Sequence, residues 1–303
     1  MDLNDQEELS TNFGNDYSDH FLCTGVLPQA HIQNAANPLV GYPRLQKLHE
    51  LKKAHTRKHA CKPFMATTSL ESLPLKLHDW ASNNVQFDVV LVGGCFEETP
   101  SQDYLSSLPV GALTPRPSIA LVWVPSFALE TAKQALGSWG FRRSEDIVFL
   151  TASKSSCFYP PQSDADFIEK SSWHCLLGLK GTLRRSEDTD LINCNIDTDT
   201  VLESPTDCPN VIPDNIYKVI ENFSLMSRRL HILPGTTRNS SAPSLPTRSR
   251  PGWVIVGPDC LVNNFNIDDY VREVKIVGTR VPIDPEIDSL RPKTPPRAKR
   301  NDK

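Results

Sequence analysis

Short apolar runs recur through the middle of the chain, separated by amphipathic or polar stretches. The runs at 87–92, 118–124, 146–150, 175–180, 229–233 and 253–256 are β-rich and too short for helices, so each predicts a buried strand. Between them, 127–139 carries apolar residues at helical spacing (Phe127, Leu129, Ala132, Ala135, Leu136) and stops at Gly140. A second helix is predicted over 213–223, with Pro213 and Asp214 in its first turn. Strands alternating with crossover helices predict an α/β domain built on a mostly parallel, Rossmann-like sheet.

The flanks read differently. Residues 1–43 are polar and aperiodic, with isolated anchors at Tyr17, Phe21 and Leu22, and predict a partly disordered arm. Leu45, Leu48 and Leu51 among lysines and histidines predict a basic helix over 44–61 with a narrow apolar stripe, packed outside the main domain of 62–290. The Ser/Pro/Thr-rich stretch 235–250 predicts a flexible insert between two strands, and 291–303 a basic tail.

Composition adds limits. At 303 residues and 39% hydrophobic content the chain can bury a full core, and a net charge of −4 gives no bulk reason to expect nucleic acid. Any such affinity has to come from local patches. Residues 1–20 hold six acids and no Lys or Arg, whereas 291–303 hold six bases and one acid. The eight cysteines stand singly, with no C-x-x-C pair and no basic-then-apolar start, so reduced thiols in the cytosol or nucleus are expected. No apolar run approaches the roughly 20 residues of a membrane helix, and no membrane partner is expected.

Candidate chemistry is concentrated in arginine pairs: Arg142 with Arg143, Arg184 with Arg185, and Arg228 with Arg229. Paired guanidinium groups present donor forks that fit phosphates. The competing reading is a solvated face, or ion pairs with Glu145, Asp146, Glu187 or Asp188. His55 and His59 have an i, i+4 spacing that can hold zinc, but no acid lies between them and no matching second pair follows, so no metal is expected. Gly93 and Gly94 lack the rest of a dinucleotide turn, and Cys95 lacks a recognisable His partner for nucleophilic work.

Read in order, the segments 15–21, 87–92, 139–146, 174–186, 195–199, 228–231, 250–258 and 290–296 resemble one family, over about residues 15–297. It is the mRNA N6-adenosine methyltransferase family, and within it the non-catalytic, methyltransferase-like fourteen branch with its fungal karyogamy and meiosis relatives. Activity in that family depends on an Asp-Pro-Pro-Trp loop after the first catalytic strand, which holds the target amine beside S-adenosylmethionine. Here Gly93, Gly94, Cys95 and Phe96 stand in those four positions, and Leu233, Pro234 and Gly235 replace a Phe-Gly-Arg strand end. In-line methyl transfer needs an acceptor that holds the amine and localises its lone pair, which Gly and Phe cannot supply.

The resemblance therefore implies a Rossmann-like methyltransferase fold with no catalytic residues and no bound cofactor of its own. It implies a heterodimer in the nucleus with a catalytic adenosine methyltransferase subunit that holds S-adenosylmethionine, and mRNA as substrate. It assigns Arg142, Arg143, Arg184, Arg185 and Lys133 to a basic, RNA-binding groove. The alternative from another class is a mating or meiosis regulator that works through protein partners without RNA.

Overall fold

The computed structural model describes residues 43–96, 98–151, 156, 158, 171–182, 200–203, 212–236 and 247–290. In chain order the elements are α1 (Pro43–Lys58), β1 (Phe64–Thr67), α2 (Leu73–Ser82), β2 (Val89–Gly93), α3 (Gln102–Ser107), α4 (Val110–Leu113) and β3 (Ser118–Pro125). A 3-10 turn (Ser126–Ala128) then leads into α5 (Leu129–Ser138), followed by β4 (Arg142–Leu150), β5 (Ser172–Lys180) and β6 (Thr200–Leu202). The chain continues through α6 (Asp214–Phe223), β7 (Arg229–Ile232), β8 (Trp253–Gly257), α7 (Ile267–Val277) and α8 (Pro285–Leu290).

The strands form one sheet in the order β1-β8-β7-β2-β3-β5-β4-β6. All pairs are parallel except those made by β5, which runs against both β3 and β4. This is the mostly parallel α/β sheet that the alternation predicts. Successive side chains of a strand face opposite ways, so an all-apolar run feeds two cores. Val90 and Val92 of β2 join a cluster with Leu77, Trp80, Leu105, Leu136 and Tyr270 on one face. Val89 and Leu91 join Ile216, Tyr217 and Ile220 of α6 on the other, with Trp123, Phe149, Phe158 and Trp173.

All six predicted strands are present, with shifted ends. β1 and β6 were not predicted, because four and three residues are too few for a period to show. Both are edge strands, where shortness limits pairing with other chains. β4 starts four residues before the predicted strand, so Arg142 and Arg143 lie within it.

Two predicted flanks pack more tightly than expected. Helix α1 packs against α6 and α8. Its Leu48 is fully buried with Leu225, Val281 and Ile287, and Lys52 and Thr56 on the supposedly basic face are buried too. The end of the predicted flexible insert is also tied down. Thr247 is 2% exposed and bridges Cys260. Arg250 pairs with Glu221 through two bonds of 2.6 and 2.8 Å and with Asp214. These anchors escape a local reading because each depends on a partner distant in sequence. The arm 1–42, residues 237–246 of the insert and the tail 291–303 lie outside the described residues.

Candidate functional site

The loop that follows β2 is shaped by its glycines. Gly93 has φ of 130°, and a Cβ there would lie 2.2 Å from the Trp123 carbonyl oxygen. Only a residue without a side chain passes this close to β3. The Gly93 carbonyl accepts a hydrogen bond from His231 Nε2 at 2.8 Å, and His231 Nδ1 accepts from the Tyr217 hydroxyl at 2.6 Å. Both rings are buried. Burial lowers the His231 pKa to about 4 against the opposing pull of the Gly93 carbonyl, so the ring is neutral near pH 7. Burial pushes the Tyr217 hydroxyl up, and the Arg250 guanidinium lies over its ring at 4.8 Å. The start of the loop is thus held through α6 and β7 by residues that no local motif links.

Cys95 and Phe96, next along the loop, are 1% and 6% exposed and belong to the same apolar cluster as Trp123 and Leu233. A Cβ on Gly235 would sit 2.6 Å from Phe96 Cγ, and one on Gly257 would sit 2.5 Å from Leu233 Cβ. The two places where the chain departs from the catalytic pattern, 93–96 and 233–235, are therefore one packed unit. Phe96 fills the space that Gly235 vacates. At 93–96 there is no carboxylate to hold an amine, Glu98 further along the loop is exposed, and the Cys95 thiol is buried.

Arg142 and Arg143 lie towards the opposite end of the strands. Arg142 is paired with Leu179, Leu179 with Ile119 and Ile119 with Val89, which places Arg142 level with the start of β2. Gly93 is four residues further along, about 13 Å at an ordinary strand rise. The register of β4 against β5 shifts between Arg143 and Glu145, a bulge that leaves four consecutive residues, Arg142 to Glu145, exposed. Neither Arg142 nor Arg143 makes an ion pair among the described residues, and Asp146 instead pairs with His174 at 2.8 Å. Lys133 on α5 is exposed and pairs with Glu130 at 3.1 Å, a weak surface interaction. Arg184 and Arg185 lie outside the described residues.

The third arginine pair is structural. Arg228 grips Asp88 through bonds of 2.7 and 2.5 Å, and Arg229 is 2% exposed. Lys180, which no sequence signal marked, bonds the carbonyls of Gly111 and Thr114 at 2.7 and 2.8 Å and is withdrawn from any phosphate. His55 and His59 meet edge to face at 4.6 Å, with His55 Nε2 2.7 Å from the Pro282 carbonyl. No group of three potential metal ligands occurs among the described residues. No helix among them is long and apolar enough to cross a membrane.

The family model described as MT-A70 matches residues 80–259. The chain is 38% identical to the karyogamy protein KAR4 of Saccharomyces cerevisiae over 288 residues, 93% of this chain and 85% of that protein. It is 32% identical over 312 residues to the N(6)-adenosine-methyltransferase non-catalytic subunit METTL14 of Drosophila melanogaster, covering 95% of this chain and 74% of the relative. The subunit of the same name in Xenopus tropicalis is 31% identical over 310 residues, which are 95% of this chain and 64% of the relative.

Proposed function

This chain belongs to the MT-A70 family, and from that premise we propose that it is the non-catalytic subunit of a nuclear mRNA N6-adenosine methyltransferase. The relatives named as non-catalytic subunits support this reading. The observation that carries it is the closed loop. Phe96 lies against Gly235 where the reaction would need an open position and a carboxylate. The residues present do not fit S-adenosylmethionine, which belongs to the catalytic partner in this reading. What the subunit supplies is a stable surface for that partner and, through Arg142 and Arg143 with Arg184 and Arg185, guanidinium groups for RNA phosphates.

Two measurements test the reading. Titration calorimetry of the isolated chain with S-adenosylmethionine is expected to give no saturable binding, and micromolar binding would overturn the closed-site reading. Co-expression with a catalytic MT-A70 subunit is expected to give a co-purifying pair that methylates RNA. The similarity to a karyogamy protein favours a second reading, a mating or meiosis regulator working through protein partners. In that case Arg142→Ala, Arg143→Ala and Arg185→Ala together leave partner binding and the biological output intact.

A further inference from the structure

Ser126, His174 and Asp146 are brought together from three elements at the sheet edge that holds the ends of β2 and β3. Ser126 stands where β3 turns into the 3-10 turn that leads to α5. His174 opens β5, paired with Val124 on one side and Val148 on the other. Asp146 precedes Val148 by two residues on β4, so its side chain shares a face with that of His174. The Ser126 hydroxyl lies 3.0 Å from His174 Nε2, and His174 Nδ1 lies 2.8 Å from Asp146 Oδ2.

From these distances the geometry points to an activated serine: Ser126 as nucleophile, His174 as its general base and Asp146 as the group that orients the imidazole. The site takes acyl esters and related activated electrophiles. This function is separate from RNA methylation.

The order of atoms is the one nucleophilic catalysis needs. Asp146 accepts the Nδ1 proton, which leaves Nε2 unprotonated and facing the hydroxyl. The other carboxylate oxygen, Oδ1, is buried and has no hydrogen bond among the described residues, which leaves the imidazole as the partner of the Asp146 carboxylate there. His174 and Asp146 are 16% and 29% exposed, and Ser126 is half-buried, so the group is reachable without unfolding. Phe127, beside the serine, is 44% exposed and offers an apolar surface for an acyl chain.

In the reaction the Ser126 oxygen forms a bond to the carbonyl carbon while its proton moves to Nε2. Collapse of the adduct breaks the bond to the leaving alcohol, which takes that proton. Water then attacks the acyl-serine, giving its proton to Nε2, and the acid departs as the proton returns to Ser126. One ester and one water give one acid and one alcohol.

A competing acceptor is present, because the Ser172 carbonyl lies 3.0 Å from the Ser126 oxygen and the Ser172 hydroxyl 2.5 Å away. If the Ser126 hydroxyl donates to the Ser172 carbonyl instead of to Nε2, the serine is inert, and the experiment separates the two cases. The folded full chain is treated with a fluorophosphonate probe, whose fluoride leaves as the serine oxygen bonds phosphorus, and the adduct is mapped by peptide mass spectrometry. One adduct on Ser126 is expected, absent in Ser126→Ala. The labelling rate should fall roughly a hundredfold in His174→Gln and Asp146→Asn, the scale of a lost general base. Hydrolysis of p-nitrophenyl butyrate should follow the same order. Melting curves accompany each variant, and the wild-type result stands even if a variant fails to fold. No Ser126 adduct on the folded wild type, or an unchanged rate in a folded His174→Gln chain, overturns the proposal.

Discussion

The two rims of the sheet, one where the parallel strands end and one where they begin, have been treated in opposite ways. Where β2 and β7 end, Gly93, Cys95, Phe96, Leu233 and Gly235 form a dry apolar contact, and the backbone carbonyl that could have met a ligand is bonded to a buried neutral histidine. Where β4 begins, a bulge interrupts the ladder and leaves Arg142 and Arg143 exposed. One rim is sealed by packing and the other is left open with charge. In the proposed reading, the packed loop is where positioning of a methyl acceptor was given up, and the exposed cations are what would attract a polyanion. Positioning needs an empty, preorganised cavity, whereas phosphate attraction needs only exposed cations.

The largest expected effects come from disturbing the sealed rim. Gly93→Ala forces a side chain into the Trp123 carbonyl from a left-handed backbone, and should cost more than about 3 kcal/mol in denaturant melts. Phe96→Ala should cost about 3–5 kcal/mol through the cavity it leaves. Gly235→Ala alone should cost about 1–3 kcal/mol by overpacking against Phe96. The double variant of Phe96 and Gly235 should then be more stable than the sum of its parts, since each change removes the other's conflict. Simple additivity would mean that the two residues are not one unit.

Next in size is an effect of pH. His231 has its pKa lowered from 6.5 to about 4 in the folded chain, so on acidification the unfolded state takes up the proton first. The stability contributed by the neutral ring is complete above pH 6.5 and is lost as pH falls from there toward 4, by about 3 kcal/mol for a fully buried group. Half-buried His49, also lowered to about 4, acts in the same window. Unfolding free energies measured between pH 7 and 4 should therefore fall less steeply in His231→Asn than in the wild type. Equal slopes would remove His231 as the cause.

At the open rim the stability effects should be small. Arg142→Ala with Arg143→Ala should shift the unfolding free energy by no more than about 0.5 kcal/mol per residue. RNA affinity of the assembled complex should drop, with the salt slope shrinking by about 0.7 for each single-strand phosphate that is no longer neutralised. Unchanged affinity and slope would make this rim an ordinary solvated face. Deleting 237–246 should be smaller still in its effect on melting, whereas a deletion that takes in Thr247 or Arg250 should be costly. Those two residues are tied to Cys260, Glu221 and Asp214.

The sheet and its six main strands were legible in the chain because a buried strand needs a run of apolar residues whatever its neighbours are. That Gly93, Gly94, Cys95 and Phe96 follow the β2 run instead of an Asp-Pro-Pro-Trp sequence was legible directly, since residue identity does not depend on the fold. The short edges β1 and β6 were not, and neither was the starting point of β4, because a bulge is defined by the partner strand. The partners of Phe96, His231, Arg228 and Arg250 lie from 14 to 140 residues away in sequence, with Gly235 standing 139 positions beyond Phe96. Local pattern fixes which face of an element is apolar, because periodicity repeats within one element. Which arginine is buried and which is free, and whether a lost active site is open or filled, depend on side chains that meet only after the sheet has closed.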